Sequence, residues 1–222
     1  AVNHAAVAHY GYTEAEFRFY LEDLRAKAVI LLPGESAARN AANSCGVAAL
    51  DLLAPAAGSA PGVFTLSGVT AHQTASPGFA SDGDVALVLH TSGTTARPKI
   101  VPLSQANLCA SATHIASALA LRPSDLCLNV MPLFHIHGLI GALLSSLSAG
   151  AAVAATPGFN ALKFAGWMSE LRPSWYSAVP TMHQAILSRA ERDPAAAAAY
   201  GLRFIRSSSA SLPPQVMLGL ER

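Results

Sequence analysis

From Val85 onward, short apolar runs alternate with segments of helical length, and that rhythm limits the fold more than any other feature of the chain. Strands are expected at 85–90, 126–130, 151–155, 175–179 and 203–207. Helices are expected at 104–120, 138–149, 160–171, 181–192 and 213–222. Strands this apolar are usually buried on both faces, as in a parallel sheet covered by helices. The expectation is therefore an α/β fold of layered, parallel-rich sheets with helices on both faces. Ligands of such sheets bind where loops leave the carboxyl ends of the strands. Upstream, Thr13 and Glu16 form a T-x-x-E capping box, and Phe17, Tyr20, Leu21 and Leu24 repeat at helical spacing. They predict a helix from about Thr13 to Arg25. The run Ala28-Val29-Ile30-Leu31-Leu32, closed by Pro33-Gly34, predicts a buried strand ending in a turn. Residues 54–83 are rich in Ala, Gly, Ser, Pro and Thr and predict a linker or a set of surface loops.

Apolar residues make up 52% of the chain and charged residues 12%, a balance that suits a large buried core and excludes disorder. A net charge of +1 offers no pull on nucleic acid or on an anionic membrane surface. Cys45, Cys109 and Cys127 are odd in number and widely spaced. They read as reduced core residues of an intracellular protein, not as a disulfide or zinc framework. No signal-peptide pattern opens the chain, so the expected location is cytoplasmic, with the peroxisome as the alternative. The chain starts at Ala1 without methionine and stops at Arg222 just after a helix begins, so it reads as a fragment. Residues 138–155 carry no charge, but Ser145, Ser146, Ser148 and Gly150 interrupt them. A buried helix followed by a strand accounts for them better than a membrane span, and no stable membrane insertion is expected.

The segment His90-Thr91-Ser92-Gly93-Thr94-Thr95-Ala96-Arg97-Pro98-Lys99 follows directly on the strand at 85–90. Its amides and hydroxyls can surround phosphate oxygens, and Lys99 adds a positive charge. It is not the Walker pattern, which requires G-x-x-x-x-G-K-[ST]. An isolated run of Ser, Thr and Gly is ordinarily a polar surface turn. The ordered combination behind a buried strand is far more specific. A second segment, Met131-Pro132-Leu133-Phe134-His135-Ile136-His137-Gly138, also leaves a short strand. Two hydrogen-bonded histidines in a loop are one reading of it. Two metal ligands of a hydrolase centre are another, which needs further ligands; His183 and His90 are available, but no acidic residue stands near a strand end in a matching context.

The wording T-S-G-T-T-x-x-P-K over residues 91–99 resembles the adenylate-forming family of acyl-CoA synthetases, luciferases and peptide-synthetase adenylation domains. The resemblance implies that Thr91, Ser92, Gly93, Thr94, Thr95 and Lys99 grip the phosphates of ATP. One position departs: the family usually has glycine after the lysine, and here stands Ile100, which strongly disfavours any backbone needing a positive φ. P-L-F-H-x-x-G resembles the family segment that lines the acyl pocket. There the first histidine, here His135, lies between the carboxylate and the path of coenzyme A. An extra imidazole at His137 would suit a small polar acid. Trp175-Tyr176-Ser177-Ala178-Val179-Pro180-Thr181 resembles the wall between the acyl and pantetheine channels. Ser207-Ser208-Ser209-Ala210-Ser211-Leu212 is similar to the family's S-G-A-A-P-L loop. This implies that Ser208, Ser209, Ala210 and Ser211 pack against adenine, while the added hydroxyls could bind a second acidic group of the substrate.

The wording of these segments is most similar to the oxalate–CoA ligase and 4-coumarate–CoA ligase-like subgroup. The resemblance implies that residues 1–222 are an incomplete part of the large N-terminal adenylation domain, with the small C-terminal domain absent. It also implies ATP, Mg²⁺, coenzyme A and a small or aromatic carboxylic acid as reaction components. Lys99 and His135 are the expected catalytic residues; His135, His137 and Ser209 are the expected contacts to the acid. The family's Y-G-x-T-E segment, its ribose-binding aspartate and its later lysine do not occur before Arg222. Two other function classes stand beside the ligase: a truncated, non-catalytic nucleotide binder, and a metal-dependent hydrolase built on His135 and His137.

Overall fold

The computed structural model describes residues 11–55, 58–60, 62–68, 78–91 and 98–222. The chain divides into two compact units, Ala1–Pro102 and Leu103–Arg222.

In the first unit, helix α1 (Glu14–Asp23) starts at the predicted capping box: Thr13 accepts from the Glu16 amide, and Glu16 accepts from the Thr13 amide. Strand β1 (Ala28–Leu31) follows. Helix α2 (Ala37–Cys45) is capped by Ser36 and closed by Gly46 in the left-handed conformation. Strand β2 (Ala48–Leu53) pairs parallel with β1, and β3 (Thr65–Ser67) pairs antiparallel with β2. Residues 54–83 thus contribute a strand to a sheet and are not wholly loop. Phe17 and Leu21 of α1 bury against Ala38, Ala41 and Ala42 of α2, with Val29, Leu31 and Ala49 beneath them. Ile30 points the other way and is 55% exposed. Among the described residues, the core of this small sheet therefore lies on one face only, unlike the two-faced burial its apolar strands suggested. Strands β4 (Val85–Thr91) and β5 (Lys99–Ser104) form a separate two-stranded sheet.

The second unit has the architecture that the alternation predicts. Helix α3 (Gln105–Ala118) leads to β6 (Leu126–Asn129). Next come α4 (Ile136–Gly138), a π-helical turn (Leu139–Leu144) and α5 (Ser145–Ser148), followed by β7 (Ala152–Ala155). Helix α6 (Ala161–Leu171) leads to β8 (Trp175–Ala178); α7 (Pro180–Ala190) and α8 (Pro194–Ala198) lead to β9 (Phe204–Ser207) and α9 (Pro214–Leu220). The four strands run parallel in the order β7-β6-β8-β9.

Side chains alternate across this sheet with the period of two that strands impose. Leu128 and Tyr176 face Phe164, Met168 and Ile186. Cys127 and Trp175, one residue earlier in each strand, face Ala142, with Leu119, Leu121 and Phe204 around them. Helices therefore cover both faces. Among the described residues no helix is long and apolar enough to cross a membrane; the uncharged stretch at 138–155 is a run of short helical pieces and an edge strand.

Candidate functional site

The phosphate-loop candidates begin where β4 ends. Helix α1 holds the stem of this strand: His90 Nε2 lies 2.9 Å from Asp23 Oδ2, and the Tyr20 ring stands edge-on to the imidazole at 4.7 Å. Thr91 closes β4. Ser92, Gly93, Thr94 and Thr95 lie outside the described residues. Lys99 opens β5 and is exposed. Ile100 follows it in extended backbone and is absent from the described residues with positive φ. The missing glycine thus imposes no strain at this position, because a β-branched residue is well suited to a strand.

A second constellation is built entirely within the Leu103–Arg222 unit. The chain leaves β6 sharply at Asn129, whose Oδ1 accepts from the Met131 amide. It then turns into α4 so tightly that a Cβ on Gly138 would stand 2.4 Å from the Pro132 carbonyl oxygen. Only glycine fits there, and its presence sets where the histidines emerge. His135 is the exposed N-cap of α4 and accepts from the His137 amide at 3.3 Å. His137 is buried, with Nε2 at 2.6 Å from Ser177 Oγ and Nδ1 at 3.2 Å from Ser209 Oγ.

Ser177 sits near the carboxyl end of β8 and Arg206 in β9, with Ser208 and Ser209 just beyond. Arg206 donates from Nη1 to Ser177 Oγ at 3.0 Å and from Nη2 to Ser208 Oγ at 3.4 Å. No ion pair to a carboxylate is formed by Arg206 among the described residues. Burial lowers its affinity for its proton, yet a guanidinium stays charged at any working pH. Burial, and then the Arg206 cation, push His137 down to about 4, so it is neutral near pH 7. One cation, one neutral imidazole and three hydroxyls therefore converge without a compensating negative charge among the described residues. They lie beside the switch point, where the chain leaves β6 towards β7 and then returns to β8 on the other side. Such a set recognises an anion with hydrogen-bond acceptors on it.

Of the two histidines, His135 stands exposed at the helix start, whereas His137 reaches Ser177 and Ser209 and feels the Arg206 charge. Ser209 holds φ at +75°, a strained value for a residue other than glycine, and turns its hydroxyl to His137. Ala210 and Ser211 are exposed on the same loop. The hydrolase reading finds no donor set: both His137 nitrogens are engaged by hydroxyls, His183 Nδ1 faces Tyr176 Oη at 3.2 Å, and His90 faces Asp23. No three His, Cys, Asp or Glu side chains converge on a point among the described residues. Sequence reasoning missed Ser177 and Arg206. The signal available was one hydroxyl and one arginine at corresponding places in two apolar strands.

The family model described as AMP-binding enzyme matches residues 4–222. The chain is 43% identical over 224 residues to the probable CoA ligase CCL9 of Humulus lupulus, covering 98% of this chain and 42% of that protein. It is 41% identical over 220 residues to the oxalate–CoA ligase of Arabidopsis thaliana, covering 98% and 43%. Among solved structures it is similar to a malonyl-CoA ligase in a ternary product complex with methylmalonyl-CoA and AMP bound, with a TM-score of 0.78 and 26% identity, covering 99% of this chain and 44% of that one. The chain thus spans less than half the length of these relatives.

Proposed function

The chain belongs to the AMP-binding enzyme family, and on that premise we propose that it is the N-terminal part of an ATP-dependent acid–CoA ligase acting on a small acid with a second anionic group. Relatives named CoA ligase and oxalate–CoA ligase support the reaction class. The observation that carries the acid class is the half-buried Arg206 guanidinium, which lacks a carboxylate partner among the described residues and lies beside neutral His137. A compact dicarboxylate such as oxalate presents one carboxylate for reaction and a second for this cation. A large aromatic monocarboxylate offers no second charge to match it.

In the first step an oxygen of the reacting carboxylate bonds to the α-phosphorus of ATP and pyrophosphate leaves. In the second, the thiol of coenzyme A attacks the carbonyl, loses its proton and expels AMP. Thr91, Ser92, Gly93, Thr94, Thr95 and Lys99 are assigned to the phosphates, where fixed donors offset the charge of the departing pyrophosphate. Ser208, Ser209, Ala210 and Ser211 are assigned to the adenine side. His137, Ser177 and Arg206 hold the second anionic group, while exposed His135 positions the reacting carboxylate and gates the thiol's approach. The acidic residues among those described do not gather into a Mg²⁺ site.

Exchange of labelled pyrophosphate into ATP, measured on the protein that carries this chain, tests the reading. Oxalate or malonate should drive exchange and acetate should not. No exchange across a broad panel of acids would discard it. Lys99→Ala should reduce exchange about 100-fold or more, the scale of losing one charged donor to a developing anion, while leaving the melting temperature unchanged because Lys99 is exposed.

A further inference from the structure

The helix that begins at Ile136 changes pitch where it passes Arg206. Residues Leu139–Leu144 form a π-helical turn between two α-helical pieces. Single π turns inside α-helices widen the coil and frequently mark functional positions. Two serines steady this one: Ser145 Oγ donates to the Gly141 carbonyl at 3.0 Å, and Ser146 Oγ donates to the Ala142 carbonyl at 2.7 Å. Both serines are fully buried.

Gly141 is the residue that the turn presents to the guanidinium. A Cβ placed on it would lie 3.0 Å from Arg206 Nη1 and 3.6 Å from both Cζ and Nη2. Three atoms of the planar group thus lie over the bare Cα, so the group rests on the helix backbone at a distance that only glycine leaves open. Resting on the proposed acid class for this site, we infer that Gly141 is a positioning residue: the π turn and its missing side chain seat Arg206 at the depth where it meets Ser177 and the second anionic group of the acid.

A methyl group at this position meets the far end of a flexible side chain, not backbone. Arg206 yields by a few tenths of an ångström and the fold does not. The displaced guanidinium stretches its 3.0 Å hydrogen bond to Ser177. Gly166 supplies the matched control: it lies inside α6, and a Cβ there meets nothing within 4 Å.

The experiment compares the wild-type protein with Gly141→Ala and Gly166→Ala. Titration calorimetry with oxalate and with acetate reads the acid site. Nitrogen-15 spectra of the arginine Nε–H groups read Arg206 without any ligand. Gly141→Ala should weaken oxalate binding and raise its KM about two- to fivefold, the scale of lengthening one hydrogen bond to a charged group. The KM for ATP and the melting temperature should stay put, and the Arg206 Nε resonance should shift and exchange faster. Gly166→Ala should do none of this. An Arg206 resonance and an oxalate affinity that are both unmoved by Gly141→Ala would overturn the inference. If wild-type protein holds oxalate no better than acetate, the acid class falls, while the resonance alone still decides whether Gly141 seats Arg206.

Discussion

The two ends of the four-stranded sheet each receive an arginine from the β9 segment, and the two are treated in opposite ways. At the amino ends, Arg203 forms a two-point pair with Asp125, with Nε at 3.1 Å from Oδ1 and Nη2 at 2.7 Å from Oδ2. Asp125 also accepts from the Ser174 hydroxyl and the Arg122 amide. Arg203 in turn donates to the Leu119 and Ala120 carbonyls that end α3. Burial alone would raise the Asp125 carboxyl, but Arg203, Ser174 and Arg122 together hold it below the usual carboxylate range. At the carboxyl ends, Arg206 has hydroxyls and a neutral imidazole but no carboxylate among the described residues. The saturated end fastens α3, β6, β8 and β9 to one another. The unsaturated end retains an attraction that the fold does not use, which is what a binding site requires.

The largest test of this contrast is Arg203→Ala. It takes the two-point partner from a carboxylate that is only 4% exposed and leaves it the Ser174 and Arg122 donors, and should cost about 2–3 kcal/mol in urea unfolding, with kcat per folded molecule unchanged. A loss under about 1 kcal/mol would remove the claim that this end is structural.

Acid titration comes next, because the two ends should fail in different windows. His137 binds its proton near 4 when folded and at the ordinary 6.5 when unfolded. The unfolded state therefore holds more protons between those values, and stability falls as pH drops from 6.5 to 4, by up to about 3 kcal/mol. Asp125 works lower: its contribution is complete above the ordinary value of 3.8 and is lost as pH falls through its depressed value. Replacing His137 with glutamine should flatten the upper window only, as followed by thermal melts across pH.

Arg206→Ala should then separate function from fold. Removing a half-buried cation without a carboxylate partner should change stability by less than about 1 kcal/mol. The KM for a dicarboxylate should rise about 10- to 100-fold, the value of a hydrogen bond to a charged group. Smallest is Ser208→Ala, whose bond from Arg206 is 3.4 Å long. A two- to fivefold rise in that KM is about the most it should give. A larger effect would shift weight from the cation to the hydroxyl loop.

Much of the fold was legible because its signals are local. The Thr13–Glu16 box begins α1 where the side-chain chemistry requires, and the apolar runs at 126–130, 151–155 and 175–179 became neighbouring parallel strands. Helix α2 is legible only from its caps, Ser36 and Gly46, because its buried face is made of Ala38, Ala41 and Ala42, and alanine also fills the loops of this chain. Strand β5 is not legible in the sequence, because a charged residue opens it and Pro102, which cannot donate to a ladder, lies inside it.

Local order, the parallel sheet and the hydroxyl-rich segment after β4 follow from the sequence alone, since caps, periodicity and turn chemistry act between residues a few places apart. The division of labour between Arg203 and Arg206 does not. The two lie three residues apart, at a strand's start and near its end, and nothing local says which will find Asp125 and which will rest on Gly141. Partners distant in the chain decide that: Asp125 and Ser174 for one, Gly141 and Ser177 for the other. Charge compensation depends on distance in space, and only the folded sheet sets those distances.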